Sequence, residues 1–461
     1  MCWLVSNKKN RGNILVMALV FGTVAFTMIT LGITSYALFE SKASNRKYDR
    51  DIAFHIAEAG INYYRWHLAH NPTDYYDGQG EESAGPYEHE YLDKDGNLIG
   101  YFSLDIDPPL SGSTVVVVRS TGWTVVNPST TRTIQVRVGF PSWADYTFLS
   151  NANMNFSYTT EVHGTVHSNG GIRFDGTTDS WVKSAKDRYQ YLTQWHDGVW
   201  GGGGPKSFWV YPVPAIDFDL VSGDMSKIME AADEDGGLHL YTSGKEGWHL
   251  VFAEDGTYDL YVVNNRDCYN GQGEKHGKWW VYDQNCFDIK TEDFVSTDNL
   301  PANGMIFSDD HVWVEGVVDG RITIAAGRFP VQEETYMTII VNNNLTYKEK
   351  AADDVIGLMA QGNVIVPYET PDIMEINAAM LSQYGAVHRP YYDGDLKDTL
   401  TIFGSQISFA GGGWKYVSGW GHVISGYENT NHSYDGNLKY YPPPGFPTGN
   451  SYELISWEEI L

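Results

Sequence analysis

The pattern of apolar and polar positions divides the chain early. Residues 14–38 carry neither charge nor proline. As a helix rising 1.5 Å per residue this run would span about 37 Å, enough to cross a bilayer. The helical pattern then continues. No proline precedes Pro72, no glycine falls between Gly32 and Gly60, and Ile52, Ile56, Ala59, Tyr63 and Trp66 recur at helical spacing, which predicts one apolar stripe. Lys42, Arg46, Lys47, Arg50 and Asp51 mark the point where the polar surroundings begin. The reading is a single helix over about 13–69, roughly 85 Å long, apolar all round in its first half and amphipathic in its second.

Beyond the helix the period changes. Over 71–140 the sequence predicts a small antiparallel sheet, with a hairpin at Asp93-Lys94-Asp95-Gly96-Asn97, the run Val115-Val116-Val117-Val118, turns at Gly122 and Asn127-Pro128, and alternating Ile134, Val136 and Val138. A sheet of this kind has an apolar face to cover the helix stripe. From about 141, short apolar segments separated by Gly, Asn and Asp recur every 10–25 or so residues, among them 162–170, 312–316, 321–326, 338–341, 355–359, 364–366 and 400–403. Short strands with Asn/Gly turns suit a parallel β-helix-like solenoid, in which Asn can ladder from one turn to the next. A β-sandwich is the alternative. The stretch of about 180–300 interrupts the pattern and reads as an insertion. It contains a short helix over 184–195, a flexible joint at Gly201 to Gly204, a helix over 225–232 and a hairpin around Glu254-Asp255-Gly256. Residues 441–461, with Tyr440-Tyr441-Pro442-Pro443-Pro444 at their start, read as a C-terminal strap.

Composition sharpens this picture in three ways. The 461 residues are 14% aromatic and include 48 Gly and 18 Pro, which favours strands and turns over a helical bundle. The net charge of −27 would repel nucleic acid, so no nucleic-acid partner is expected. Of the three cysteines, Cys2 precedes the apolar run, while Cys268 and Cys286 bracket a Gly- and Trp-rich stretch. If paired they close a loop of about 18 residues, worth roughly 3 kcal/mol in the chain-entropy model, and an oxidising compartment would permit this. Two free thiols are the alternative. The absence of CxxC removes the expectation of a zinc site.

Candidate chemistry is sparse. Asp309, Asp310 and His311 are contiguous, as are Asp353 and Asp354, and contiguous turn residues point apart. His163 and His167 could share a strand face, with Asp175 as the near third ligand. The Asp93–Asn97 turn lacks the distal Glu of a calcium loop, Gly201 to Gly204 lacks the Lys-Ser/Thr of a phosphate loop, and no Gly-x-Ser-x-Gly is present. The expectation is no metal, no cofactor and no catalytic centre. Aromatic residues in Gly-rich surroundings are the better lead. Trp248, Trp279, Trp280, Trp414, Tyr416 and Trp420 could stack on sugar faces or instead cap a core.

The N-terminus also resembles a known family. Lys8-Lys9-Asn10-Arg11-Gly12-Asn13 followed by the long apolar run is similar to the class III signal of type IV pilin-like proteins. Ala53-Phe54-His55-Ile56-Ala57-Glu58-Ala59-Gly60 resembles the AEAG stretch (Ala57, Glu58, Ala59, Gly60) of PilX-type minor pilins. The resemblance covers about 8–70. It implies a leader over 1–12, cleavage between Gly12 and Asn13 by a prepilin peptidase, methylation of the new amino group, and a transmembrane or filament-core helix over 13–39. A pilin-like helix-plus-sheet module over 40–140 would follow, ahead of the β-helix-like domain over 141–440. Position five of the mature chain would be Met17 rather than the Glu of major pilins, which implies an accessory subunit. The expected partners are other pilin subunits, the membrane before assembly, and a glycan or surface ligand. The expected location is the inner membrane with an exported domain, then a pilus or the cell surface. Lys8, Lys9 and Arg11 agree with a cytoplasmic N-terminus. A plain signal anchor, or a secretory signal cut after Ser35-Tyr36-Ala37, stays open. So do a membrane-anchored carbohydrate-active enzyme and an anchored adhesin without a filament.

Overall fold

The computed structural model describes residues 12–80, 83, 85–110, 113–218, 221–234, 236–276, 279–350, 353–418, 422–449 and 451–460. The basic residues assigned to the leader lie outside them. By its contacts the chain forms two compact units. One takes the chain up to Pro108 with Val116–Val138 and Leu454–Leu461; the other takes Pro109–Val115 and Gly139–Glu453.

The first unit is built on one unbroken helix, Gly12–His70. Its first half exposes its apolar side chains on all sides: Ile14 is 74% exposed and Phe39 72%. Thr23, Thr27, Thr30 and Thr34 turn their hydroxyls back onto carbonyls one turn earlier, which hides polar groups that an apolar medium would penalise. The second half buries Ala53, Ile56, Ala57, Ile61, Tyr64 and Leu68. This face differs from the predicted stripe: Ile56 is shared, but Trp66 is 60% exposed. The shift has a steric cause. The helix lies on a five-stranded sheet ordered Tyr87–Leu92, Leu98–Asp107, Val115–Thr124, Arg132–Gly139 and Glu453–Ile460, and the middle of that sheet is paved with small residues. A Cβ at Gly122 would stand 2.4 Å from Ala53 O and 2.4 Å from Ala57 N. Gly122 is therefore no turn; it is the strand position on which the helix backbone rests. Gly60 is equally close, with Ser120 Oγ 2.3 Å and Phe102 Cδ2 2.7 Å from the place a Cβ would occupy. Ala57 and Gly60 are the buried half of the AEAG stretch, and Glu58 turns outward to His55 at 3.4 Å.

The fifth strand corrects the expected strap. Residues 442–446 do lie along the second unit: Thr323 donates to Pro444 O at 2.6 Å, and Arg321 to Pro442 O at 2.6 Å. Residues 453–460 instead form an edge strand of the first sheet. Glu459 pairs with Arg132, Gln135 donates to Glu458 at 2.7 Å, and the Trp457 ring meets Phe54 at 5.9 Å. The residues 453–460 have no clean alternation of apolar and charged positions, so pairing with Arg132–Gly139 rather than local pattern makes them a strand.

The second unit is mostly β, and its largest sheet is dominated by parallel pairs. From Met305 to Ser433 the parallel strands pair mostly with the next but one rather than with the next, so two ladders run side by side. One joins Leu238–Leu240, Met305–Ser308, Arg321–Ala326, Val355–Ala360, Ile373–Ser382 and Leu396–Ser408 in parallel order. It then continues into Phe148–Ser150, Val166–Ser168, Val182–Ser184 and Trp209–Val210. The other includes Gly247–Phe252, His311–Val318 and Ile339–Tyr347, and Leu396–Ser408, Val423–Ser433, Thr160–His163 and Thr177–Thr178. Leu250, Val312, Val314, Ile322, Ile324, Leu358 and Ile402 fill the main core, and Phe156, Val162, Val166, Ile172, Phe174 and Val182 a separate one. A serine line runs through the first ladder: Ser382, Ser408, Ser150, Ser168 and Ser184 are successive register partners. Asn169 donates to Asn151 at 2.8 Å beside it.

Part of the expected insertion belongs to these ladders. Residues 184–195 are not helical; they contribute strands Val182–Ser184 and Arg188–Tyr191, the latter in a hairpin with Gln194–Asp197. Gly201 to Gly204 is not a loose joint. Gly203 N and Gly204 N donate to Phe174 O and Gly176 O at 3.0 and 3.1 Å, and a side chain at Gly203 would strike Gly176 O. The elements that do stand outside the ladders are the helix Val221–Glu234, which packs Met225, Ile228 and Ala232 on an outer face, and a long antiparallel hairpin of Thr257–His276 with Trp279–Asn299. A Cys268–Cys286 disulfide crosses that hairpin.

Candidate functional site

The aromatic candidates separate. Trp248 packs against the main core and donates its Nε1 to Tyr241 O at 2.8 Å. Trp279 and Trp280 open the second hairpin strand, in register with His276 and Lys275. Trp420 lies outside the described residues. Of the candidates, Trp414 and Tyr416 line a cavity of about 480 Å³ in the second unit, within the range of small-molecule sites.

The cavity sits where Leu396–Ser408 and Val423–Ser433 hand the ladders over to Phe148–Ser150 and Thr160–His163. Its aromatic residues include Phe148 and Phe156, whose rings meet edge to face at 5.0 Å, and the outward-facing Tyr158, 73% exposed. The segment Gly411-Gly412-Gly413 brings in the rest. A side chain at Gly412 would come within 2.3 Å of Val387 O, so only glycine lets this loop lie flat and deliver Trp414, Lys415 and Tyr416 to the cavity.

A buried polar chain forms part of the wall. Trp414 Nε1 donates to Gln406 Oε1 at 2.7 Å, and Gln406 Nε2 lies 3.0 Å from His432 Nδ1. The Gln406 amide can only donate there, so His432 accepts through Nδ1 and is neutral. Burial, with Lys415 nearby, pulls its pKa down to about 3. Lys415 donates to Thr159 Oγ1 at 2.7 Å and to Glu428 O at 3.1 Å, both neutral acceptors. Burial draws its pKa down to about 8. Arg173 also lines the cavity, but its charge is met by Asp175 at 2.8 Å, and its guanidinium stacks over the Tyr191 and Trp200 rings. Lys415 is therefore the cation of this cavity without a carboxylate among the described residues.

The other candidates do not converge. His163 is bound to Asp179 at 2.7 Å, whose carboxylate raises its pKa; the buried His167 faces Asn169 at 3.2 Å; Asp175 is occupied by Arg173 and Gly202 N. Asp309 turns to His239, Asp310 to Arg328 and Ser243, and His311 to Thr338 N. Asp354 caps Gly320 N and Glu349 N. Among the described residues, no three His, Cys, Asp or Glu side chains are grouped to hold a metal ion. Sequence reading missed Lys415, Gln406, His432, Phe148, Phe156 and Tyr158. The one signal available was Lys415 standing between two aromatic candidates.

No protein-family model and no curated protein matches the chain. Among solved structures it is similar to the crystal structure of the competence-associated pilin ComZ from Thermus thermophilus, at 10% identity over 89% of this chain and 97% of that one, with a TM-score of 0.27.

Proposed function

We propose that the chain is an accessory, PilX-like pilin subunit of a type IV pilus or related filament, anchored in the membrane before assembly and presenting a β-solenoid head for adhesion to a surface or glycan. The observation that carries the reading is the division of labour along the helix Gly12–His70. Sixteen large apolar side chains between Ile14 and Phe39 are exposed. At about 1.5–3 kcal/mol each, leaving them in water would cost more than the 5–15 kcal/mol that holds an ordinary domain together. Lipid, and later the helices of neighbouring subunits, supplies the missing cover. The second half has its own cover, the antiparallel sheet, so the helix is at once an anchor and the spine of a head. The next-but-one parallel pairing of the second unit supports the solenoid, since each ladder then forms one face of a stack and the serine line marks a repeated corner.

Filament membership requires release of the basic leader. The test is co-expression with a prepilin peptidase followed by N-terminal sequencing of the product. A mature chain beginning at Asn13, with a methylated amino group, is expected. An uncut chain, or one cut after Ala37, would overturn the filament reading and leave an anchored adhesin or a secreted protein.

A further inference from the structure

The cavity beside Trp414 combines features that rarely meet in a core. Among the described lining residues it has aromatic rings, neutral hydrogen-bonding groups, the Asp175 carboxylate already paired with Arg173, and one cation, Lys415, without a carboxylate partner. The rings of Tyr158 and Tyr416 offer flat apolar surface; Ser150, Asn155 and Thr430 offer polar contacts along the cavity. Lys415 holds its ammonium on two neutral oxygens. On a chain of net charge −27 an isolated cation at the edge of a cavity is a place where an anion is favoured against the general field. A ligand that satisfies all three features needs an apolar face, hydroxyl groups and a negative charge.

We propose that this cavity binds an acidic saccharide, a sugar chain bearing uronate-type carboxylates, with one carboxylate on Lys415 and the sugar faces against Tyr158 and Tyr416. Neutral sugars meet the rings and the polar groups but leave the ammonium unmatched, so the carboxylate is the element of choice. Arg173 does not compete for it, because Asp175 already occupies the guanidinium. The inference rests on the adhesive role proposed for the head, and it names the class of ligand that role would recognise.

The experiment uses the full chain in detergent micelles, titrated with digalacturonate and, separately, with the neutral disaccharide of the same linkage, by calorimetry or tryptophan fluorescence. Saturable binding of digalacturonate, at least tenfold tighter than the neutral sugar, is expected. Lys415→Gln should abolish most of that preference, and Lys415→Arg should retain it. No saturable binding, equal binding of the two sugars, or an undiminished preference in a folded Lys415→Gln protein would overturn the proposal. The wild-type comparison stands even if the Gln variant does not fold. A chain that is cut at Asn13 yet ignores digalacturonate defeats only the ligand assignment. A chain that binds it but stays uncut defeats only the filament reading.

Discussion

Replacing Gly122 by alanine sets two effects of opposite sign against each other. Glycine inside a strand is unfavourable by about 0.5–1 kcal/mol relative to alanine, so the substitution should stabilise the strand if space allows. Space does not allow it. The new methyl would stand 2.4 Å from Ala53 O and 2.4 Å from Ala57 N, and both are helix backbone atoms that no rotamer change can move. Restoring ordinary contact requires the helix to retreat by about 1 Å, and overpacking of this kind costs about 1–3 kcal/mol. The packing effect wins, with a net loss of about 1–2 kcal/mol. Hydrogen exchange by mass spectrometry on the full chain in detergent can localise this. Amides in 53–68 and 98–124 should exchange roughly 5–30-fold faster, matching that loss, while peptides of the second unit stay unchanged. Gly32→Ala is the control, since nothing lies within 4 Å of its Cβ position, and it should leave these peptides as they were. Equal or greater protection in Gly122→Ala would refute the close seating of helix on sheet.

Two further outcomes concern the second unit. His249 lies between Glu292 (2.8 Å) and Glu315 (3.0 Å). Burial opposes its charge, but the two carboxylates outweigh burial and its pKa is raised; burial likewise opposes the Glu315 carboxylate, yet His249 and Asn342 hold its pKa below the usual value. The histidine contribution is complete below its unfolded pKa of about 6.5 and is lost as pH rises through the folded value. The glutamate contribution is complete above about 4.5 and is lost as pH falls through its lowered folded value. The urea midpoint of this unit should therefore show a component that peaks between about pH 4.5 and 6.5 and that His249→Gln removes; a variant with the wild-type pH profile would exclude the triad as its source. Arg389 is fully buried, paired with Asp395 and stacked on Tyr392 and Tyr427. Asp395→Asn strands that charge and should lower stability by about 3–5 kcal/mol in urea unfolding, and a loss below 1 kcal/mol would mean the guanidinium is reached by water.

How much of this the sequence could tell varies by element and for physical reasons. The helix was legible because a run without charge or proline has few other outcomes. Its buried face is less legible, because apolar periodicity weights large residues and so predicts a stripe through Trp66. The sheet admits only small residues where the backbones come closest: Ala53, Ala57 and Gly60 face in beside Ile56, Ile61, Tyr64 and Leu68, while Trp66 points out. Gly122 looked like a turn for the same reason, since glycine signals both a bend and a close approach, and only the partner element tells them apart. Spacing leaves the disulfide as one of two options, the other being two free thiols. The two- and three-residue strands at 182–184, 199–200 and 209–210 leave no apolar run to notice, being held by their neighbours in register rather than by their own composition.

The cavity marks the limit of such reading most clearly. Its wall depends on Gln406 standing beside Phe148 in parallel register, a pairing of residues more than half the chain apart that no local pattern encodes. That pairing is also where the main core gives way to the separate core of Phe156, Val162 and Phe174. A seam between two cores is a natural place for incomplete apolar packing, and here the Trp414–Gln406–His432 chain takes the place of apolar contacts. Such a chain stabilises only when every member is satisfied, which fixes the orientation of the Trp414 ring and, through the adjacent backbone, the position of Lys415. The rigidity that makes the seam tolerable as structure is thus the same rigidity that would pre-organise it as a binding site, and ligand affinity there is tied to the integrity of a polar network whose members lie on three different strands or loops.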